Sequence, residues 1–136
     1  MYSKIVVAVD IGHGELGRML LEKAVQLLDE GGEVFLLYVL EEVPSYIAAE
    51  LPHDLTERRN AEARVELKSL VHGLSATTHI EVRTGAPSGQ ILQCAEDHGA
   101  DLIMIASHRP GLSDYFIGST AARVVRHAQC SVLISR

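Results

Sequence analysis

Apolar residues fall along this chain in two kinds of pattern. Four stretches, Ile5–Val9, Val34–Leu40, Leu102–Ala106 and Val132–Ile134, are continuous and rich in β-branched residues, as strands buried on both faces are. A fifth, Thr78–Arg83, alternates instead, with Ile80 and Val82 set between His79, Glu81 and Arg83, which predicts a strand at an exposed edge. Between the strands apolar residues recur at helical spacing. Leu16, Met19, Leu20, Lys23 and Leu27 mark a first helix over Gly14–Glu30, stopped by Gly31-Gly32. Ala63, Leu67, Leu70, Val71 and Leu74 mark a second, Ile91, Cys94, Ala95 and His98 a third, and Ala121, Val124, Val125 and Ala128 a fourth.

The order β-α-β-α-β-α-β-α-β, with right-handed crossovers, predicts an α/β fold: one domain over residues 1–136 with a doubly wound, five-stranded parallel sheet. With the alternating strand at one edge, the expected strand order is 3-2-1-4-5. Direction then reverses between strands one and four, and ligands of such sheets bind beyond the carboxyl ends of the strands at that switch point. Asp10 and Ser107 stand there. The long irregular stretch, Glu41–Thr56, with Pro44, Tyr46 and Pro52, joins strand two to helix two and has the length of a lid or mobile connector.

Composition narrows the partners. The chain has 136 residues, 47% hydrophobic and 22% charged, enough to bury a core without disulfides or metals. A net charge of -6 and no run of Lys or Arg argue against non-specific nucleic-acid binding or an anionic membrane surface. The apolar run Val34–Leu40 is far shorter than the roughly 20 residues of a membrane span, and Met1-Tyr2-Ser3-Lys4 leads straight into a strand; a cytoplasmic location is expected. Cys94 and Cys130 lack the paired spacing of a zinc or redox motif and read as buried free thiols.

Candidate chemistry concentrates after strand four. Ile105-Ala106-Ser107-His108-Arg109-Pro110-Gly111 is followed by Ile117-Gly118-Ser119-Thr120-Ala121, which opens the last helix. A glycine allowing close approach, two hydroxyls and the free N–H groups of a helix start suit a phosphate; Ser119 equally suits a plain N-cap. Asp10 likewise suits a turn-stabilising role before Ile11-Gly12-His13-Gly14. Nothing in the sequence matches a nucleophile elbow, a His-Glu-x-x-His pair or a lysine P-loop, so efficient hydrolysis is not expected and the chain is not read as an enzyme.

The start Lys4–Asp10, Gly85-Ala86-Pro87, Asp101–His108, Gly118-Ser119 and the end Val124–Ile134 together resemble the universal stress protein family over the full length. Ala106-Ser107-His108-Arg109-Pro110 is similar to the branch of the enterobacterial stress proteins F and G. The resemblance implies a Rossmann-like, adenine nucleotide alpha hydrolase-like fold that binds ATP, with Mg²⁺, as a stress-signalling module. It places Ala8, Val9 and Val39 at the adenine, Asp10 at adenine or ribose, and Gly85 near base or sugar. Ala106, Ser107, His108, Arg109, Gly118, Ser119 and Thr120 would surround the phosphates, with Ser119 also a candidate Mg²⁺ ligand. The family's glycine signature is altered here: Ala106 and Arg109 stand at its first two glycines, and eight residues rather than nine separate Arg109 from Gly118. A slow ATPase or self-phosphorylating enzyme, and a dimeric interaction protein without nucleotide, are the rival readings. A homodimer through strand five, Cys130–Ser135, is expected because that apolar edge carries no charge or proline.

Overall fold

The computed structural model describes residues 1–11, 14–106 and 118–136. The chain runs β1 (Tyr2–Ala8), α1 (Gly14–Leu27), β2 (Leu28–Leu40), α2 (Ser45–Ala48), α3 (Leu55–Val71), β3 (Thr77–Thr84), α4 (Pro87–His98), β4 (Leu102–Ala106), α5 (Ser119–His127) and β5 (Ser131–Ser135). All five strands form one parallel sheet in the order β3-β2-β1-β4-β5, as the hydrophobic pattern predicts.

Strand alternation splits the core into two layers. Ile5, Val7, Val34, Leu36, Leu102 and Met104 face α1 and α3, where they meet Leu20, Leu21, Ala24 and Leu67. Val6, Phe35, Leu37, Ile103 and Ile105 face α4 and α5, meeting Ile91, Cys94, Ala121 and Val124. Successive side chains of a strand point to opposite faces, so a sheet covered on both sides needs the continuous apolar runs seen in β1, β2 and β4.

Three expectations about the helices are corrected. The first helix stops at Leu27, and β2 begins at Leu28 rather than Val34. Gly31-Gly32 therefore lies inside the strand: Tyr2 pairs with Leu28 but Lys4 with Glu33, so the extra β2 residues bulge out. Gly31 has φ +80°, and a Cβ on Gly32 would fall 2.7 Å from Leu28 Cδ1 and 2.9 Å from the Ser3 carbonyl oxygen, so both glycines are needed for the bulge. The N-terminal ammonium pairs with Asp29 at the same place.

The buried stripe of α1 is Gly17, Leu20, Leu21 and Ala24, while Met19 is 55% exposed. Counting large apolar residues misjudges the face because small ones make the contact: a Cβ on Gly17 would meet Leu70 and Val9 at 3.3–3.4 Å, so glycine brings the helix close. In α5, Val125 is 50% exposed although Ala121 and Val124 are buried. The loop Glu41–Thr56 contains the short α2, and α3 starts one residue before the loop's expected end. Among the described residues no helix is long and apolar enough to cross a membrane.

Candidate functional site

Where β2 and β3 end, the chain must turn off the carboxyl edge of the sheet, and α4 and α5 begin. Gly85 follows β3 directly, with its N–H donated to the Leu40 carbonyl at 2.9 Å. Its φ is +146° and a Cβ would lie 2.9 Å from Gln90 Nε2, so the turn into α4 favours glycine. Ala86 is then the N-cap of α4, without a side-chain cap, and Pro87 occupies the first turn. Pro87 has no N–H to satisfy, and the next N–H groups have no intrahelical acceptor.

Helix α5 begins in the same way. Gly118 is its N-cap, with φ -56° and ψ 155° and no side-chain cap; Ser119 is the first helical residue, not the cap. The Ala122 N–H to Gly118 carbonyl bond, 2.9 Å, is the first of the helix, leaving the earlier N–H groups pointing outward. The two helix starts meet in one open cleft of about 440 Å³. Gly85, Ser119 and Thr120 line it, as do Ser88 of α4 and Arg123 of α5, with Glu41 and Glu42 at the end of β2. Two partial positive helix ends, a guanidinium and two carboxylates thus line the same cleft.

The remaining predicted residues divide between the two faces of the sheet. Ala8, Val39 and the end of β4 at Ala106 lie at the carboxyl edge, with Ala8 and Val39 packed toward α4 and α5. Val9 faces the other way, against Gly17 and Leu70, with its N–H donated to the Leu37 carbonyl at 3.0 Å. Ala8, the last residue of β1, and Val9, just after it, pack against opposite layers of the core, so their side chains do not line one pocket. Asp10 is exposed beyond β1; Tyr38 titrates above its ordinary value, chiefly through burial and next through the Asp10 carboxylate. Ser107, His108 and Arg109 lie outside the described residues.

Arg123, Glu41, Glu42 and Ser88 were not singled out from the sequence. Arg123 carried a readable signal: it stands four residues after Ser119 on the same helix face, and a guanidinium suits phosphate. The carboxylates carried none, since an acidic pair after a strand is common on a solvated loop.

A second polar constellation joins α4 to β3. Glu81 accepts from Arg83 Nε at 2.6 Å and from Cys94 Sγ at 3.2 Å, and its other oxygen lies 2.9 Å from His98 Nε2. Burial alone would raise the Glu81 carboxyl, but the hydrogen bonds from Arg83, His98 and Cys94 hold it below its ordinary value. Burial, with the Glu81 contact, pushes the Cys94 thiol up to about 12. Cys94 is buried, as expected; Cys130 is only partly so.

A family profile described as Universal stress protein family matches residues 1–136. Universal stress protein G of Shigella flexneri is 32% identical over 142 aligned residues, covering 100% of both chains. Among solved structures, hypothetical protein MJ0577 superimposes with a TM-score of 0.82 at 25% identity, over 98% of this chain and 95% of its own. A universal stress protein from Archaeoglobus fulgidus in complex with dAMP shares the fold with a TM-score of 0.64 at 20% identity, over 99% and 98%. Another, in complex with cAMP, does so with a TM-score of 0.63 at 23% identity, over 99% and 97%.

Proposed function

The chain belongs to the universal stress protein family, and from that premise we propose that it binds ATP in the cleft between the starts of α4 and α5 and acts as a nucleotide-dependent signalling module. The observation that carries this is the convergence of two uncapped helix starts and Arg123 on one cleft beyond β2 and β3, a geometry suited to phosphate oxygens. Two relatives in fold hold adenine nucleotides, dAMP and cAMP.

In this reading Ala8 and Val39 offer apolar surface to the adenine, Val9 only its backbone, and Asp10 a carboxylate to the adenine or ribose. Gly85 lets the chain pass close to base or sugar. Gly118, Ser119, Thr120 and Arg123 take the phosphates, joined by Ser107, His108 and Arg109 from the segment after β4. Glu41 and Glu42 would repel a bare polyphosphate, so the nucleotide enters with its cation, for which Ser119 and these carboxylates supply hard oxygen ligands suited to Mg²⁺.

Native mass spectrometry of the purified chain should show co-purified adenine nucleotide, and calorimetry should give one ATP site. Gly118→Val, which puts a branched side chain where phosphate approaches the helix start, should weaken ATP by about tenfold or more. Unchanged affinity in a folded variant would sink the phosphate assignment. Incubation with γ-labelled ATP tests the assigned lack of turnover: labelled protein or released phosphate would favour the enzyme reading instead.

The same reading includes a homodimer through β5. Val132, Leu133 and Ile134 are only partly buried on the edge strand, and α5, which packs on β5, leaves Val125 exposed. Isologous pairing of β5 would satisfy the open backbone groups of both copies. Leu133→Pro removes a ladder donor, so sedimentation should report monomer or aggregate; a folded dimeric variant moves the interface elsewhere.

A further inference from the structure

At the end of α4 away from the nucleotide cleft, we propose that Glu81, Cys94 and His98 form a binding site for a borderline-soft divalent cation of the Zn²⁺ class. Cys94 and His98 stand four residues apart on one face of α4, and Glu81 reaches them from β3. The carboxylate oxygen, Sγ and imidazole nitrogen lie within 4.8 Å of one another. Tetrahedral zinc, with bonds of about 2.0–2.3 Å, sets its ligands roughly 3.3–3.8 Å apart, so a small contraction closes the set. Thiolate, imidazole and carboxylate together are the mixed donor set that zinc takes and that Mg²⁺ and Ca²⁺ do not.

Hydrogen atoms now fill the place of the ion. The Cys94 thiol points at one Glu81 oxygen, 3.2 Å away, and His98 Nε2 sits 2.9 Å from the other. Since an ionised carboxylate only accepts, Nε2 carries its hydrogen in this arrangement. Zn²⁺ binding would release one proton, from Sγ, while the neutral imidazole shifts its hydrogen to Nδ1 and ligates through Nε2.

The surroundings hold these groups as outer-shell partners should. The His98 ring stacks on Phe35, with centroids 4.0 Å apart and planes at 15°. Arg83 donates to Glu81 and pairs with Asp97 at 3.0 Å, and Asp97 in turn accepts from Gln93 Nε2. Glu81, Asp97 and a Cys94 thiolate carry three negative charges against one on Arg83, so a dication brings the cluster to neutrality. Glu81 and His98 retain partial solvent exposure, 27% for each side chain, which gives an ion a way in.

The test is titration of the full-length, metal-stripped protein with Co²⁺ and Zn²⁺, without nucleotide. One Co²⁺ per chain should bind with a thiolate-to-metal charge-transfer band. Cys94→Ala should abolish the band and weaken Zn²⁺ by more than the roughly 10–100-fold typical of losing an outer-shell partner. His98→Gln should keep a weakened band, and Cys130→Ala should leave both signals unchanged. No charge-transfer band in the wild type, or a band that survives Cys94→Ala or is lost in Cys130→Ala, would overturn the site; circular dichroism confirms that each variant is folded.

Discussion

At its amino end α4 leaves its first N–H groups facing an open cleft, behind an uncapped Ala86 and a Pro87 that has no N–H at all. At its carboxyl end Gly99 adopts a left-handed conformation with φ +65°, its N–H meeting the Glu96 carbonyl, and Ala100 N–H meets that of Ala95. Over the last turns Glu81, Arg83, Cys94, Asp97 and His98 satisfy one another across to β3. One helix therefore holds unmet donors at one end and a closed polar network at the other, about 16 Å apart at a rise of about 1.5 Å per residue. Unmet backbone donors can be satisfied by whatever anion arrives, at little cost in its absence because water reaches them. A partly buried network must satisfy itself, and it then specifies how helix and strand register.

The comparison predicts that the two ends separate when altered. The largest effect should come from Glu81→Ala, which leaves the Cys94 and His98 donors without their acceptor and takes from the mostly buried Arg83 guanidinium one of its two carboxylate partners, leaving only Asp97. Urea denaturation should show a loss of about 2–3 kcal/mol, with ATP affinity unchanged. A comparable loss of ATP affinity would join the two ends into one unit.

Next is Arg123→Ala at the open end, where the order of effects should reverse. Calorimetry should show ATP binding weakened about tenfold, or about 1.4 kcal/mol, while stability moves by no more than about 0.5 kcal/mol. Arg123 makes no hydrogen bond or ion pair with another described residue, so little of the fold depends on it. Undiminished ATP binding would remove it from the phosphate wall.

Gly85→Ala sharpens the comparison further, since it alters the turn that sets the open end. With φ +146° and Gln90 against the new Cβ, stability should fall by about 1 kcal/mol. Thermal melts check this, and an unchanged melting temperature would mean that the turn relaxes freely.

The smallest effect lies just beyond the closed end, at Asp101. Its carboxylate accepts from the Ser3 N–H at 2.9 Å and the Lys4 N–H at 3.0 Å. Burial acts to raise it, but these bonds hold it below its ordinary 3.8. A carboxyl depressed on folding stabilises above its unfolded value and loses that contribution as pH falls through the folded one. Asp101→Asn should thus cost about 0.5–1 kcal/mol near neutrality. The gap to the wild type should narrow as pH falls below the ordinary carboxylate value; a gap that stays constant into acid would refute the assignment.

The sequence by itself determined the sheet: buried runs in β1, β2 and β4 and the alternation of β3 are local patterns, and right-handed crossovers leave few orders to choose among. It also pointed to Gly118, Ser119 and Thr120, because glycine and hydroxyls at the start of a helix are signals within a few residues, whereas Gly85 came from the family resemblance alone. Packing decided the rest. Gly17 rather than Met19 faces the sheet because approach distance, not hydrophobicity, chose the side, and Gly31-Gly32 became a bulge because β1 offered pairing partners beyond Leu27. Cys94 reads as an isolated thiol until tertiary structure sets it beside a carboxylate thirteen residues earlier in sequence. Which face of β3 meets which turn of α4 is a three-dimensional fact, since contacts between elements depend on register and rotation that no single segment encodes.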